Sequence, residues 1–240
     1  MDITKITKPM RKALPLKTCG AVIVAAGNAS RMGGIDKVMA QLRGEPMIVR
    51  TVREFQNCDA ISEIVIVTRE DLILPISGLC KDMPKVIAVV AGGKSRQESV
   101  HLGLNALSKK VKLAAIHDGA RPLISWQVID RVVRAANTYG AAAPAIPVKD
   151  TIKVVEGRVV KNTPDRATLF AVQTPQVFDF DLLRGALTKA KLENVTVTDD
   201  CSAVEHMGMT VKIVEGDERN LKVTTPLDLK IAEMLLEEEK

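Results

Sequence analysis

From Thr18 onward the chain alternates short apolar runs with stretches in which apolar residues return every three or four positions. The first run, Ala21 to Ala25, has no polar alternation and predicts a strand buried on both faces. Ile64 to Val67, Val86 to Val90, Leu113 to Ile116 and Ala141 to Ile146 predict four more. Between them lie helical patterns. Pro46 stands at the start of one whose face is Met47, Ile48, Val52 and Phe55. Ser95 with Glu98 carries a capping-box signature for a helix through Leu107. Ser125 can cap a third, with Val128, Ile129, Val132 and Val133 facing inward. Strands alternating with helices imply βαβ units and a parallel sheet covered on both faces.

The pattern changes between Pro147 and Pro164, where Val148 to Val155, Glu156-Gly157 and Arg158 to Val160 predict a β-hairpin. A hairpin inserted there has no layer of its own chain to pack on. It is either a surface hairpin or an arm, about 147–165, reaching a second copy in a two-fold homodimer. The last third predicts a strand over Leu169 to Gln173, a turn at Thr174-Pro175-Gln176 and a helix from about Asp179. A shorter helix follows Thr198-Asp199-Asp200 and stops at Gly208, then come a strand at Val211 to Val214 and a helix starting with Pro226. There is no internal repeat or linker, so 18–240 reads as one domain. The expected fold is α/β: a Rossmann-like three-layer arrangement with a mostly parallel sheet, helices on both faces and a protruding hairpin arm.

Composition narrows the function. The 240 residues are 46% apolar but only 2% aromatic, so the core is aliphatic and single-stranded nucleic acid has few stacking platforms. Of the net charge of +5, all but one unit lies ahead of Thr18, where Lys5, Lys8, Arg11, Lys12 and Lys17 face Asp2 alone. The near-neutral remainder does not resemble a nucleic-acid-binding face, and residues 1–17 read as a flexible basic leader rather than a signal or transit peptide. No apolar run reaches the roughly 18–20 residues of a membrane span. Cys19, Cys58, Cys80 and Cys201 are scattered without metal spacing. They read as free thiols of a cytoplasmic protein.

Ligands of an open α/β sheet bind outside the carboxyl ends of its strands. The polar residues just after predicted strands are Arg31 and Lys37, Gly93 with Ser95, Asp118 with Arg121, Lys149 to Thr151, Arg166, Thr174 and Lys222. After Ala25 the small residues Ala26, Gly27, Asn28, Ala29 and Ser30 let backbone approach a ligand, and Arg31 and Lys37 follow on a loop with Gly33 and Gly34. This is either a polyphosphate cradle or an ordinary βα turn with solvated cations. Asp118 can hold Mg²⁺, which takes oxygen ligands and bridges phosphates, or can cap the Gly119-Ala120 corner. His117 has no nucleophile arrangement beside it and reads as packed or hydrogen-bonded. The Rossmann and Walker A glycine spacings are both absent.

The stretch A-A-G-x-x-x-R-M-x-x-x-x-K at Ala25 to Lys37 resembles nucleotidyltransferases that join a nucleoside triphosphate to a phosphorylated substrate. With GGKSRQESV, HDGARPLIS, PVKDTIK, TPQVF, TDDCSAVE and EGDERNLKVTTPLDL in that order, the chain from about residue 20 resembles the 2-C-methyl-D-erythritol 4-phosphate cytidylyltransferases. It departs from their pattern at Ala29, where glycine is common, and at Asp36-Lys37, where Pro-Lys or a similar pair is common. The resemblance implies transfer of CMP from CTP to methylerythritol phosphate, with release of pyrophosphate, in non-mevalonate isoprenoid synthesis. It implies that Ala25, Ala26, Gly27, Gly93 and Ser99 contact cytidine, and that Arg31, Lys37 and Lys222 hold the phosphates. Asp118 would take Mg²⁺ or another divalent cation and orient the alcohol. Thr151 and Arg166 would reach the acceptor in the partner's site, with Thr174 and Thr198 as further acceptor contacts. Transfer to another polyol phosphate, such as ribitol 5-phosphate, is the alternative reaction. A nucleotide-binding regulatory protein without turnover is the alternative of a different class.

Overall fold

The computed structural model describes residues 15–27 and 37–237. A central eight-stranded sheet carries the fold. Its strands β1 (Cys19–Val24), β4 (Glu63–Thr68), β5 (Val86–Ala91), β6 (Leu113–Asp118), β7 (Ala141–Pro147), β10 (Phe170–Val172), β11 (Gln176–Asp179) and β12 (Lys212–Glu215) run in the order β10-β7-β11-β6-β1-β4-β5, with β12 also on β7. β5, β4, β1 and β6 pair in parallel, as does β12 with β7, whereas β11 runs against both β6 and β7. The short strands β2 (Gln41–Leu42) and β3 (Glu45–Pro46), and β8 (Val154–Glu156) and β9 (Val159–Asn162), form two separate ladders.

Two cores result from side-chain alternation along the strands. Ala21, Ile23, Ile64, Ile66 and Ala115 point to one face, under α1 (Met47–Asn57), α2 (Ile73–Leu79) and α4 (Trp126–Tyr139). Val22, Val65, Val67, Ala114 and Ile116 point to the other, under α3 (Arg96–Ala106), α5 (Phe180–Leu192) and α6 (Asp200–His206). Val128, Ile129, Val132 and Val133 form the buried stripe of α4, each contributing roughly 1.5–3 kcal/mol. α4 stops at Gly140, whose φ of 83° is the left-handed cap that glycine adopts freely. A third, smaller core joins Ala40, Leu42 and Met47 to Val223 and to Ala232 and Leu236 of α7 (Pro226–Glu237).

Several local expectations need correction. β11 falls where a turn running into a helix is expected. Only four residues long, it wedges between two strands already made, and α5 starts directly after it. α2 and the β2–β3 ladder are additional elements. The hairpin strand starts at Val154 rather than Val148, and it turns at Gly157-Arg158, one residue later than expected. Ser125 sits at the helix boundary but makes no side-chain cap; its carbonyl accepts from Val128 and Ile129. The Ser95 box is half made: Ser95 accepts from the Glu98 amide, while the Glu98 carboxylate accepts from Lys94. Residues 1–14 of the leader, together with Asn28, Ala29, Ser30, Arg31, Gly33, Gly34 and Asp36, lie outside the described residues. At 15–17 the chain is tied down, with Asn137 bonded to Pro15 and Lys17 and with Lys17 on Asp179 at 3.2 Å.

Candidate functional site

β1, β4, β5 and β6 all end on one side of the sheet, and a cleft of about 450 Å³ opens there. Ala25, Ala26, Gly27, Lys37, Gly93, Ser99, Asp118 and Lys222 line it, eight positions expected from the sequence and drawn from five separate segments. Among the described residues nothing crowds the Cβ position of Gly27, as a backbone-lined ligand wall requires. Gly92 lies so close to Ala26 that a Cβ there would collide with the Ala26 methyl. Ser99 is 2% exposed, and its hydroxyl donates to the Ser95 carbonyl and accepts from the Gly93 amide. Its observed work is to fix the Gly92-Gly93 turn from beneath.

Asp118 is the electrostatic centre. Its Oδ2 lies 2.8 Å from Lys222 Nζ and 3.8 Å from Arg121 Nε, and its Oδ1 lies 3.6 Å from Arg96 Nε. Burial alone would raise its pKa, but Lys222, Arg96 and Arg121 outweigh burial and hold the carboxyl at about 2. The side chain therefore faces cations rather than capping the Gly119-Ala120 corner, whose turn is closed by the Asp118 carbonyl accepting from the Arg121 amide.

A hydrogen-bonded wire fixes this residue from below. The Asp118 amide donates to Thr174 Oγ1, which donates in turn to His117 Nδ1 at 3.0 Å. His117 Nε2 then faces the Arg121 carbonyl at 3.4 Å, and the ring lies 4.9 Å from that of Phe55. Burial pushes the imidazole down to about 3, with Asp118 only partly opposing it, so His117 is a neutral structural group. Thr174 thus supports Asp118 from beneath. Asn220 holds the Thr174 carbonyl at 2.9 Å, and its own carbonyl accepts from Arg121 at 2.6 Å.

Sequence reasoning missed Arg96 and Asp200. Asp200 is buried at the start of α6 and pairs with Arg96 at 2.7 Å, so one guanidinium is shared between two carboxylates. Burial dominates the Asp200 pKa and raises it despite Arg96, whereas at Arg96 burial, which would lower the pKa, is outweighed by Asp200, Asp118 and Asp199 together, which raise it. Only the chemistry of a buried charge needing a partner could have flagged this pair, because 104 positions separate them. Thr68, at the end of β4, also lines the cleft and has a buried hydroxyl with no hydrogen-bond partner among the described residues.

Other expected residues stand elsewhere. Thr151 and Arg166 are exposed on the arm and at its base, outside the cleft of their own chain, with Arg166 Nη1 on the Lys149 carbonyl at 3.0 Å. Thr198 is exposed ahead of α6, with its amide on Ser202 Oγ at 3.1 Å. Arg31 lies outside the described residues.

A family model described as 2-C-methyl-D-erythritol 4-phosphate cytidylyltransferase matches residues 19–238. The protein of that name from Symbiobacterium thermophilum is 46% identical over 220 residues, covering 91% of this chain and 92% of that one. Among solved structures, 4-diphosphocytidyl-2C-methyl-D-erythritol synthase from Anaerococcus prevotii superposes with a TM-score of 0.85 at 30% identity, covering 92% of this chain and 96% of that one. The cytidylyltransferase from Thermus thermophilus gives a TM-score of 0.76 at 32% identity, covering 90% and 98%.

Proposed function

The chain belongs to the 2-C-methyl-D-erythritol 4-phosphate cytidylyltransferase family, and from that we propose how its residues divide the work of the reaction. The enzyme transfers CMP from CTP to 2-C-methyl-D-erythritol 4-phosphate and releases pyrophosphate, in non-mevalonate isoprenoid biosynthesis. An oxygen of the acceptor phosphate forms a bond to the α-phosphorus of CTP as the bond from that phosphorus to the β-phosphate oxygen breaks. The attacking oxygen is already anionic near neutral pH, so the chain needs no side-chain base, in keeping with a neutral, buried His117.

What remains is alignment and charge. The wall of Ala25, Ala26, Gly27 and Gly93 admits the cytidine, with Ser99 holding the turn behind it. Lys37 and Lys222 meet the triphosphate and stabilise charge building on the equatorial and leaving oxygens, with Arg31 assigned the same task. The observation that carries this reading is the ionised Asp118 set 2.8 Å from Lys222 at the floor of the cleft.

A divalent cation suits the donor set. Asp118 is ionised, and the described residues contain no cluster of three or more His, Cys, Asp or Glu side chains able to cage a metal. One carboxylate plus substrate phosphates and waters is the donor set Mg²⁺ uses. Asp118 would hold the ion, which when bound would supply screening of the phosphate charge.

We assign the arm to a second copy. Val154, Val155, Val159 and Val160 are 48–65% exposed on a two-stranded ladder, a form that is marginal by itself in water. Thr151 and Arg166 would then serve the acceptor in the partner's cleft, and Thr198 would serve it from the cleft's own chain. Thr174, expected as a contact, instead has its hydroxyl engaged with Asp118 and His117 and acts by positioning Asp118. Four free, buried thiols support a cytoplasmic location. No helix among the described residues is long and apolar enough to cross a membrane.

The test is pyrophosphate release from CTP and Mg²⁺ with 2-C-methyl-D-erythritol 4-phosphate or ribitol 5-phosphate. Turnover with the first and little with the second is expected. Preference for the second would reassign the acceptor, and release from neither would overturn the reading.

A further inference from the structure

Lys37 and Lys222, the cleft lysines assigned to the phosphates, come from loops far apart in sequence, yet both loops end on one helix. Lys37 opens a 3₁₀ turn closed by the Ala40 amide on the Lys37 carbonyl, and the β2–β3 hairpin springs from Ala40. At the hairpin tip Arg43 reaches α7, donating from Nη1 to the Leu236 carbonyl at 2.7 Å. On the other side Arg219, three positions ahead of Lys222, donates from Nη2 to the Leu235 carbonyl at 2.9 Å. Both acceptors lie in the last described turn of α7.

Two further features place these contacts. Arg43 at φ 53° and Gly44 at φ 80° form the left-handed pair that the two-residue β2–β3 turn requires, so the turn itself delivers the Arg43 side chain to α7. The same apolar cluster also gathers residues next to both lysine segments and α7: Ala40 and Leu42, Val223, and Ala232 with Leu236. Ala40 lies three positions after Lys37, and Val223 follows Lys222 and donates to the Ala120 carbonyl. The end of α7 is therefore the common abutment of both cation-bearing segments.

We propose that Arg43 and Arg219 are positioning residues: by gripping the C-terminal carbonyls of α7 they set Lys37 and Lys222 at the span a nucleoside triphosphate requires. The inference rests on the assignment of both lysines to the phosphates. It adds that α7, which supplies no residue to the cleft wall, governs their separation. Charge stabilisation depends steeply on placement, and an error near 1 Å can cost on the order of 10²-fold in rate.

The test measures kcat, the KM for CTP and the melting temperature of the full-length protein carrying Arg43→Ala, Arg219→Ala, Arg219→Lys, Lys222→Ala and Arg219→Ala/Lys222→Ala. Arg43→Ala and Arg219→Ala should each lower kcat about tenfold when assayed well below their melting temperatures, as misplaced charge would. Arg219→Lys, which keeps a cationic donor, should recover most of the loss. In the Lys222→Ala background Arg219→Ala should change kcat less than about twofold, because the group it positions is gone. Wild-type kcat in both arginine variants beside an impaired Lys222→Ala would overturn the proposal while leaving the phosphate assignment standing. So would full additivity in the double variant, or a loss in Arg219→Lys equal to that in Arg219→Ala. A fully active Lys222→Ala would instead overturn the phosphate assignment.

Discussion

The cleft and the arm are built to opposite standards. The described layers of the cleft are braced within the chain: Asp118 by Lys222, Arg96 and Thr174, Arg96 by Asp200, and the Gly92-Gly93 turn by Ser99. The arm has a two-stranded ladder with exposed valines. At its base an exposed pair, Lys149 on Glu218 at 2.5 Å, is the kind of contact worth little in water. The described cleft is held by its own side chains, whereas the arm, in the proposed dimer, would gain its support from the partner subunit. Groups that handle building charge need fixed positions, whereas an element that meets a second surface needs apolar area to bury.

The largest test of that contrast is Lys222→Ala. Arg96 and Arg121 still face the Asp118 carboxylate without Lys222, so stability should fall far less than activity, while turnover with CTP should fall ~10²–10³-fold, as for other fixed charge-stabilising groups. Wild-type kcat would show that the braced half is not where the chemistry lies.

Acid offers a second test confined to the cleft. His117 is held neutral down to about 3, against an ordinary value of 6.5, so the unfolded chain binds a proton that the folded one refuses. Stability is then full above about pH 6.5 and falls as pH drops towards 3, by roughly 2–3 kcal/mol between pH 7 and 4.5. Asp118, depressed to about 2, adds its loss only below about pH 4, as its ion pairs are protonated. Urea midpoints of the wild type and of His117→Asn separate the two, because the variant should be flat between pH 6.5 and 4.5. An equal slope in the variant would clear His117.

On the arm, Val155→Asp with Val160→Asp should convert dimers to monomers in sedimentation and lower turnover about tenfold by misplacing the acceptor contacts. Arg166→Ala alone should raise the acceptor KM about tenfold while sparing CTP, the worth of one charge-assisted hydrogen bond. An active dimer in the first case would erase the difference drawn between the two halves. The smallest effect is expected at Lys149→Ala, under about 0.5 kcal/mol in a denaturant titration.

Legibility in the sequence followed the same divide between local and remote. β1, β4, β5 and β6 were readable because an unbroken apolar run is a local signal, and placing their ends together sufficed to gather Gly93 and Asp118, whereas Lys222 enters from the segment between β12 and α7. β11 was not readable: Val177 and Phe178 owe their burial to Ala115, Ala142, Ala114 and Ala141, contacts that exist only once the sheet does. α2 was hidden by Pro75 and Gly78 within seven residues, the proline being tolerated in the first turn. Arg96 and Asp200 were hidden for a different reason: each looks like a solvated charge until α3 and α6 are packed on one sheet face. Ser99 shows the remaining gap, since a sequence names a residue for a ligand without revealing that its hydroxyl is already engaged with Gly93 and Ser95.

Phe170 pairs directly with Pro147, so the excursion carrying the arm leaves the sheet and returns to it on a single rung. An insertion anchored that way can lengthen, shorten or change its tip without shifting the register of any other strand. On the proposed assignment of the arm to a partner's cleft, acceptor preference and subunit pairing can drift over evolutionary time while the nucleotide half is left untouched. On that assignment the stretch between those two rung residues is the cassette an engineer would exchange to couple a different alcohol to CMP.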